Sequence, residues 1–209
     1  MERFYRPGAY RMTKQSVRSR ALERLRHATS RGKLTRDAQT NAHLIALLRR
    51  LDPAVVLGFV PLGFEADIRP TLHWLKARKK LLVPFMEGVS FKMVPYRLPL
   101  SYQALGIFTP ADSGQRTAKV EVMIVPALAI DSAFRRIGFG KGMYDRFYAE
   151  LSHKPIVIFV QPFPIVEPTV VTESHDIVGD FLVSARGVHR NRRGTLNDNR
   201  NLSHRSRER

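Results

Sequence analysis

Three glycines at alternate positions, Gly138, Gly140 and Gly142, lie in the run Arg136-Ile-Gly-Phe-Gly-Lys-Gly-Met-Tyr-Asp-Arg146. Without a Cβ, the backbone N–H groups of such a run can come close to phosphate oxygens. Lys141 and the two flanking arginines add positive charge, and a helix starting just beyond would turn its N-terminus toward an anion. Asp145, one turn into that helix, is the kind of hard oxygen donor that magnesium accepts. Residue types and spacing together suit a polyphosphate and its metal ion. The pattern is neither a P-loop nor a dinucleotide fingerprint, and a tight strand-to-helix turn would use the same glycines structurally.

The elements that must position this loop read as alternating helices and strands. Residues 13–31 put Val17, Ala21, Leu25 and Ala28 on one helical face. Thr35 is a candidate cap for a second helix whose stripe is Ala38, Ala42, Ile45, Leu48 and Leu51. The apolar run 54–60 suits a strand buried on both faces, and 70–79 reads as a helix with an early proline. Further strands are expected at 81–84, 89–96, 120–125 and 156–160, with a helix over 141–151. This order predicts an α/β fold, a single layered domain with a mostly parallel sheet flanked by helices. Ligands of such sheets collect beyond the carboxyl ends of the strands, where Glu65 and the glycine loop both fall.

Composition bounds the partners. The 209 residues suit one sizeable domain, and 44% hydrophobic residues can build a core. The absence of cysteine excludes disulfides and thiolate chemistry. No apolar stretch reaches ~18 residues, and the N-terminus lacks the apolar segment of a signal peptide, so a cytoplasmic protein without membrane contact is expected. A net charge of +17 favours anionic partners: nucleotides, polyglutamylated cofactors or, without specificity, nucleic acid. Residues 186–209 carry eight arginines against Asp198 and Glu208 and read as a basic, disordered tail. No aromatic residue interleaves those arginines, which argues against a nucleic-acid arm. Residues 1–12 read as a flexible extension, leaving 13–185 as the domain.

The stretch Val125-Pro-Ala-Leu-Ala-Ile-Asp131, followed by Arg136 to Arg146, resembles the signature of the 5-formyltetrahydrofolate cyclo-ligase family. Lys14-Gln-Ser-Val-Arg18, the segment from Val60 through Glu65 to Arg69, and His175-Asp176 with Asp180 match further family segments in order. The resemblance spans about residues 13–183. It implies a monomeric, CoA-transferase-like α/β domain that converts 5-formyltetrahydrofolate and MgATP to 5,10-methenyltetrahydrofolate, ADP and phosphate. It also implies that Lys14, Gln15, Ser16, Val17 and Arg18 meet ATP from the first helix. Arg136, Ile137, Gly138, Phe139, Gly140, Lys141, Gly142, Met143 and Tyr144 would form the ATP loop. Within it, Phe139 to Met143 would also face the folate, with or without a polyglutamate chain, alongside Val60 and Glu65. A glutamate there accepts paired hydrogen bonds from the pterin's 2-amino-pyrimidinone edge. Lys141 and Arg136 would be catalytic, and Asp145 and Asp176 would hold Mg2+.

Read without the family, the same residues have plainer roles. Lys14 and Arg18 are two among many solvated cations, and Glu65 is an exposed loop residue. Arg136 is an ion-pair partner for Asp131, Asp145 an early-helix carboxylate, and Asp176 a turn or cap. Trp74 and Tyr144 either stack on a bound ring or belong to the core; Asp180 reads as structural. Two positions depart from the family pattern. Phe134 stands where the family has glycine, a strained residue if φ is positive there. Thr109 replaces the glutamate of the family's Gly-Ile-x-Glu-Pro segment. Two other functions fit these features: a nucleic-acid-binding protein with a degenerate cyclo-ligase domain, or an ATP-dependent ligase for another acylated amine.

Overall fold

Apolar runs too continuous to leave one face in water become the middle of a seven-stranded sheet. The computed structural model describes residues 12–28, 32–103, 107–114 and 118–192. Its helices are α1 (Lys14–His27), α2 (Lys33–Leu51), α3 (Arg69–Lys76) and α4 (Met143–Glu150). The first six strands are β1 (Val55–Leu57), β2 (Lys80–Glu87), β3 (Ser90–Pro95), β4 (Leu100–Gln103), β5 (Ile107–Pro110) and β6 (Val122–Pro126). Then come β7 (Ala129–Asp131), β8 (Arg136–Ile137), β9 (Ile156–Val160), β10 (Val166–Glu167), β11 (Phe181–Ser184) and β12 (Gly187–Arg190).

The main sheet runs β12-β11-β9-β6-β1-β2-β3. Strands β11, β9, β6, β1 and β2 are parallel, while β12 and β3 pair antiparallel at the two edges. From β1 the chain crosses through α3 to β2, then later returns to place β6 on the other side of β1. That reversal opens a crevice at the carboxyl ends of β1 and β6, the place where open α/β sheets bind ligands.

Successive side chains of each central strand enter opposite layers. Val56, Ile124 and Ile158 pack with Leu44 and Leu48 of α2 and Leu72 of α3. Leu57, Met123 and Phe159 pack with Phe147 of α4 on the other face. A third cluster seats Val17, Ala21 and Leu25 of α1 on Ala129 and Ile137, in the small sheet β10-β7-β8. Each fully buried Val, Leu or Ile among these contributes ~1.5–3 kcal/mol. The α1 face is the one expected from the spacing, and it is what holds α1 beside the glycine loop. Among the described residues no helix is long and apolar enough to cross a membrane.

Two expectations shift. The α2 helix starts at Lys33 behind Gly32, with no cap from Thr35. Its buried face is Asp37, Thr40, Asn41, Leu44, Leu47 and Leu48, so Ala38 and Ala42 face outward. Asp37 and Asn41 displace alanine there because they have bonding partners, described below. The second shift concerns the tail: Gly187–Arg190, basic enough to read as disordered, is strand β12, with His189 opposite Leu182. Backbone pairing does not depend on apolar periodicity at a sheet edge. Residues 193–209 of that tail, and residues 1–11, lie outside the described residues.

Phe134 takes a left-handed φ of 57°. Its N–H bonds the Asp131 carbonyl at 2.9 Å and its own carbonyl accepts from Gly179 N at 3.0 Å. The ring stacks toward Phe159, centroids 6.4 Å apart, so aromatic packing offsets a conformation that costs about 1–2 kcal/mol. Phe134→Gly removes both packing and strain, whereas Phe134→Ala removes packing alone. The glycine variant should therefore be the more stable of the two, by about 1 kcal/mol in denaturant titration. Equal stabilities, or a more stable alanine variant, would show that the position carries no strain.

Candidate active site

Strand β8 delivers Arg136 into the crevice, where the residue is only 6% exposed. The guanidinium Nη2 donates to Asp145 Oδ2 at 2.7 Å, and the guanidinium carbon Cζ lies 5.3 Å from the centre of the Tyr144 ring. Arg136 thus pairs with Asp145 and not with Asp131. Asp131 is taken up by main chain: Oδ1 accepts from the N–H groups of Ala133 and Arg135, and Oδ2 from those of Val171 and Thr172. A Cβ on Gly138 would lie 2.4 Å from Arg136 Nη1, so a larger residue there would push this ion-paired guanidinium out of place. Beyond it Gly140 and Gly142 adopt φ of 93° and 60°, and Gly142 becomes the N-cap of α4. Arg18 of α1 supports the loop from below, Nε donating to the Gly138 carbonyl at 2.7 Å.

On one side of the loop is a charged cavity of about 340 Å³. Lys14, Arg18, Arg136 and Arg146 line it, with Asp145, Asp176 and the loop glycines. The Lys14 ammonium donates to both oxygens of Asp176, at 2.7 and 2.6 Å. Asp176 Oδ2 also accepts from Glu173 N at 2.7 Å, and Asp145 Oδ1 accepts from Ile177 N at 3.2 Å. That last bond explains how two carboxylates distant in sequence come to share one cavity: Asp145 holds the residue next to Asp176. The first turn of α4 has no side-chain cap, so its N–H groups keep their capacity for an anion.

On the other side is a cavity of about 370 Å³ walled by aromatic rings, among them Phe59, Phe64, Phe91, Phe108, Phe139 and Tyr144. Phe64 meets Phe139 edge to face at 5.5 Å, and Phe91 meets Tyr144 likewise at 5.0 Å. Glu65 is the carboxylate among them, 8% exposed. Burial pushes its pKa up to about 7; a hydrogen bond from Leu62 N and the charges of Arg136 and Lys33 pull the other way. The Leu62 N–H donates to Oε2 at 2.8 Å. Burial also raises the Tyr144 hydroxyl above its ordinary range, and the Glu65 charge adds to that. A flat ring with N–H donors on one edge matches this cavity.

The loop is the wall between the two cavities, since Arg136, Gly138 and Gly142 line both. Val60, Glu65, Phe139, Lys141, Met143 and Tyr144 all lie on the aromatic side. Lys14, Arg18, Gly140, Asp145 and Asp176 lie on the charged side. Other expected contacts line neither cavity: Gln15 and Ser16 are exposed, with Ser16 capping α1 through Thr13, while Val17 and Ile137 are core. Trp74 is also outside, with Arg49 and Arg78 over its ring. Asp180 ties the start of β9, its Oδ2 accepting from Val157 N. Phe59 and Phe64 were legible beside Val60 and Glu65, but Phe91 and Phe108 arrive from strands whose place only the fold reveals.

The profile of the 5-formyltetrahydrofolate cyclo-ligase family matches residues 11–183, which contain every one of these lining residues. The chain belongs to that family. The solution structure of Aquifex aeolicus 5,10-methenyltetrahydrofolate synthetase resembles this cyclo-ligase at TM-score 0.72 and 25% identity, over 95% of this chain and 100% of that one. A Mycoplasma pneumoniae 5,10-methenyltetrahydrofolate synthetase shares the fold at TM-score 0.65 and 17% identity, over 83% and 99% of the two chains. No curated protein matches the chain in sequence.

Holding Glu65 in an apolar cavity has a stability cost for the cyclo-ligase. Its folded pKa lies above the unfolded one, so between about pH 4.5 and 7 the folded state binds more protons. Stability therefore falls as pH rises through that window, and the penalty is complete above it. Glu65→Gln should be more stable than the parent by about 3 kcal/mol near pH 8, with the gain vanishing near pH 4. Denaturant titrations at both pH values check this; a pH-independent difference would contradict it.

Proposed function

We propose that this cyclo-ligase closes 5-formyltetrahydrofolate to 5,10-methenyltetrahydrofolate with consumption of ATP. One observation carries the reading: a single glycine loop separates a cation-lined cavity from an aromatic cavity holding a carboxylate. That arrangement suits two ligands that must meet at their reacting ends.

The formyl oxygen is a poor leaving group until it is phosphorylated. Its attack on the γ-phosphorus releases ADP and makes it one. N10 then attacks the formyl carbon and loses its proton, the C–O bond breaks, and phosphate departs as the ring closes. No enzyme nucleophile is required, so the protein's part is alignment and neutralisation of charge. Arg136, which lines both cavities, and Lys141, from the aromatic side of the loop, would face the phosphoryl group in transfer. Lys14 and Arg18 would take other phosphate oxygens from α1, with the loop and α4 N–H groups completing the cradle. Ionised Glu65 would accept from the 2-amino and ring N–H of the pterin, between the aromatic walls.

Asp145 and Asp176 would hold the metal. Among the described residues no group of three or more His, Asp or Glu could hold one. Two carboxylates beside a phosphate site suit Mg2+, which keeps water and phosphate oxygens as its other ligands. When bound, the ion would neutralise phosphate charge and favour transfer. Until a nucleotide offers Lys14 its phosphate oxygens, the ammonium balances Asp176. The +17 charge further suits a polyglutamylated substrate.

The near-ultraviolet absorbance of methenyltetrahydrofolate should rise only when protein, ATP, magnesium and 5-formyltetrahydrofolate are all present. Asp176→Asn should lower kcat by about 100-fold or more and raise the magnesium needed for half-activation. The KM for folate should fall as pH rises through about 7, since Glu65 must be ionised to accept, while the KM for ATP should not follow. No absorbance rise from folded protein that binds ATP would overturn the folate assignment.

A further inference from the structure

Lys33 is the first residue of α2, where the helix dipole disfavours a cation, and no acidic residue shares that turn. A residue that breaks a local rule usually has a compensating contact. The Lys33 ammonium donates to the Glu65 carbonyl at 2.9 Å and to Asp37 Oδ2 at 2.7 Å. Asp37 is buried, and its Oδ1 accepts from Asp67 N at 3.1 Å. One turn on, the Asn41 amide donates to the carbonyls of Asp37 and Asp67, both at 2.7 Å. Asn41 Oδ1 accepts from Thr71 N at 3.0 Å and from Thr71 Oγ1 at 2.6 Å. Three polar side chains at i, i+4 spacing thus fasten residues 65–71 to α2. A buried polar network contributes rigidity only when its members are satisfied, and this one is.

We propose that Lys33, backed by Asp37 and Asn41, is a positioning residue that fixes where the Glu65 carboxyl stands for a ring ligand in the aromatic cavity. The proposal rests on the reading of Glu65 as the pterin acceptor. Lys33 acts on Glu65 through the main chain at 2.9 Å and also through charge, favouring the ionised form. The other groups that face Glu65 are Arg136 from β8, which favours ionisation as well, and the Tyr144 hydroxyl from α4. Lys33 therefore couples the place of the carboxyl to its protonation, and none of the segments that mark the family includes it.

The test uses the full chain and three variants, Lys33→Met, Lys33→Arg and Glu65→Gln. Binding of 5-formyltetrahydrofolate alone, and of ATP alone, is followed by calorimetry across pH. Lys33→Met should weaken folate binding about tenfold, leave ATP binding unchanged, and move the pH midpoint of folate binding upward. Lys33→Arg should restore most of the affinity. Where Lys33→Met fails to fold, Lys33→Gln is held to the same criteria. Unaltered folate affinity and midpoint in the Lys33 variant, with Glu65→Gln impaired, would overturn the positioning role alone. Equal losses for folate and ATP would make Lys33 a general fold contact and also overturn it. Folate binding by Glu65→Gln at the wild-type level would remove the reading of Glu65, and this proposal with it.

Discussion

The Arg136–Asp145 ion pair, covered by Gly138, is the contact on which the site depends. Arg136 N donates to the Ile177 carbonyl at 3.1 Å, its guanidinium to Asp145, and Ile177 N returns to the other Asp145 oxygen. This closed circuit joins β8, α4 and the segment carrying Asp176. Breaking one partner of such a buried pair costs about 3–5 kcal/mol, because the remaining charge is left without a counter-ion. A hydrophobic substitute could fill the same volume, but it could not offer a cation to the charged cavity and to the aromatic cavity at once. Gly138 suits this pair, since the guanidinium occupies the space a Cβ would need and would have to leave its place for a larger residue.

The two cavities differ in the way the two proposed ligands demand. Cations and unpaired helix N–H groups gather on one side of the loop, and aromatic rings with a single carboxylate on the other. Burial keeps Glu65 close to its titration point, so a ligand with N–H donors completes an interaction the protein leaves partly open. Strain enters at Phe134, where a ring in the core secures a backbone conformation that glycine would adopt freely.

Much of this was legible in the residues. The continuous apolar runs located the central strands, because a parallel sheet is covered on both faces and leaves no polar alternation. The glycines and Asp145 stand out by their spacing, though a tight turn and an early-helix carboxylate would use them too, while Glu65 reads as an exposed loop residue until the family resemblance singles it out. The short strands β7, β8 and β10 were not legible, since two or three residues carry no period. Nor was the polar inner face of α2, whose Asp37 and Asn41 are buried only because the crossing segment brings them partners. Periodicity counts apolar residues and is blind to buried hydrogen bonds. Arg136 was legible as an ion-pair residue but not its partner: Asp131 is nearer in sequence, yet main-chain donors consume it.

The central claim is that one loop separates and serves two ligand sites, and amide resonances of isotope-labelled protein test it most directly. A non-hydrolysable ATP analogue should shift the resonances of Lys14, Arg18 and Asp176. 5-Formyltetrahydrofolate should instead shift those of Phe64, Glu65 and Phe91. Each ligand, added alone, should move Gly138 to Gly142, and both should bind together. Competition between the two ligands, or a glycine loop unmoved by either, would contradict the account.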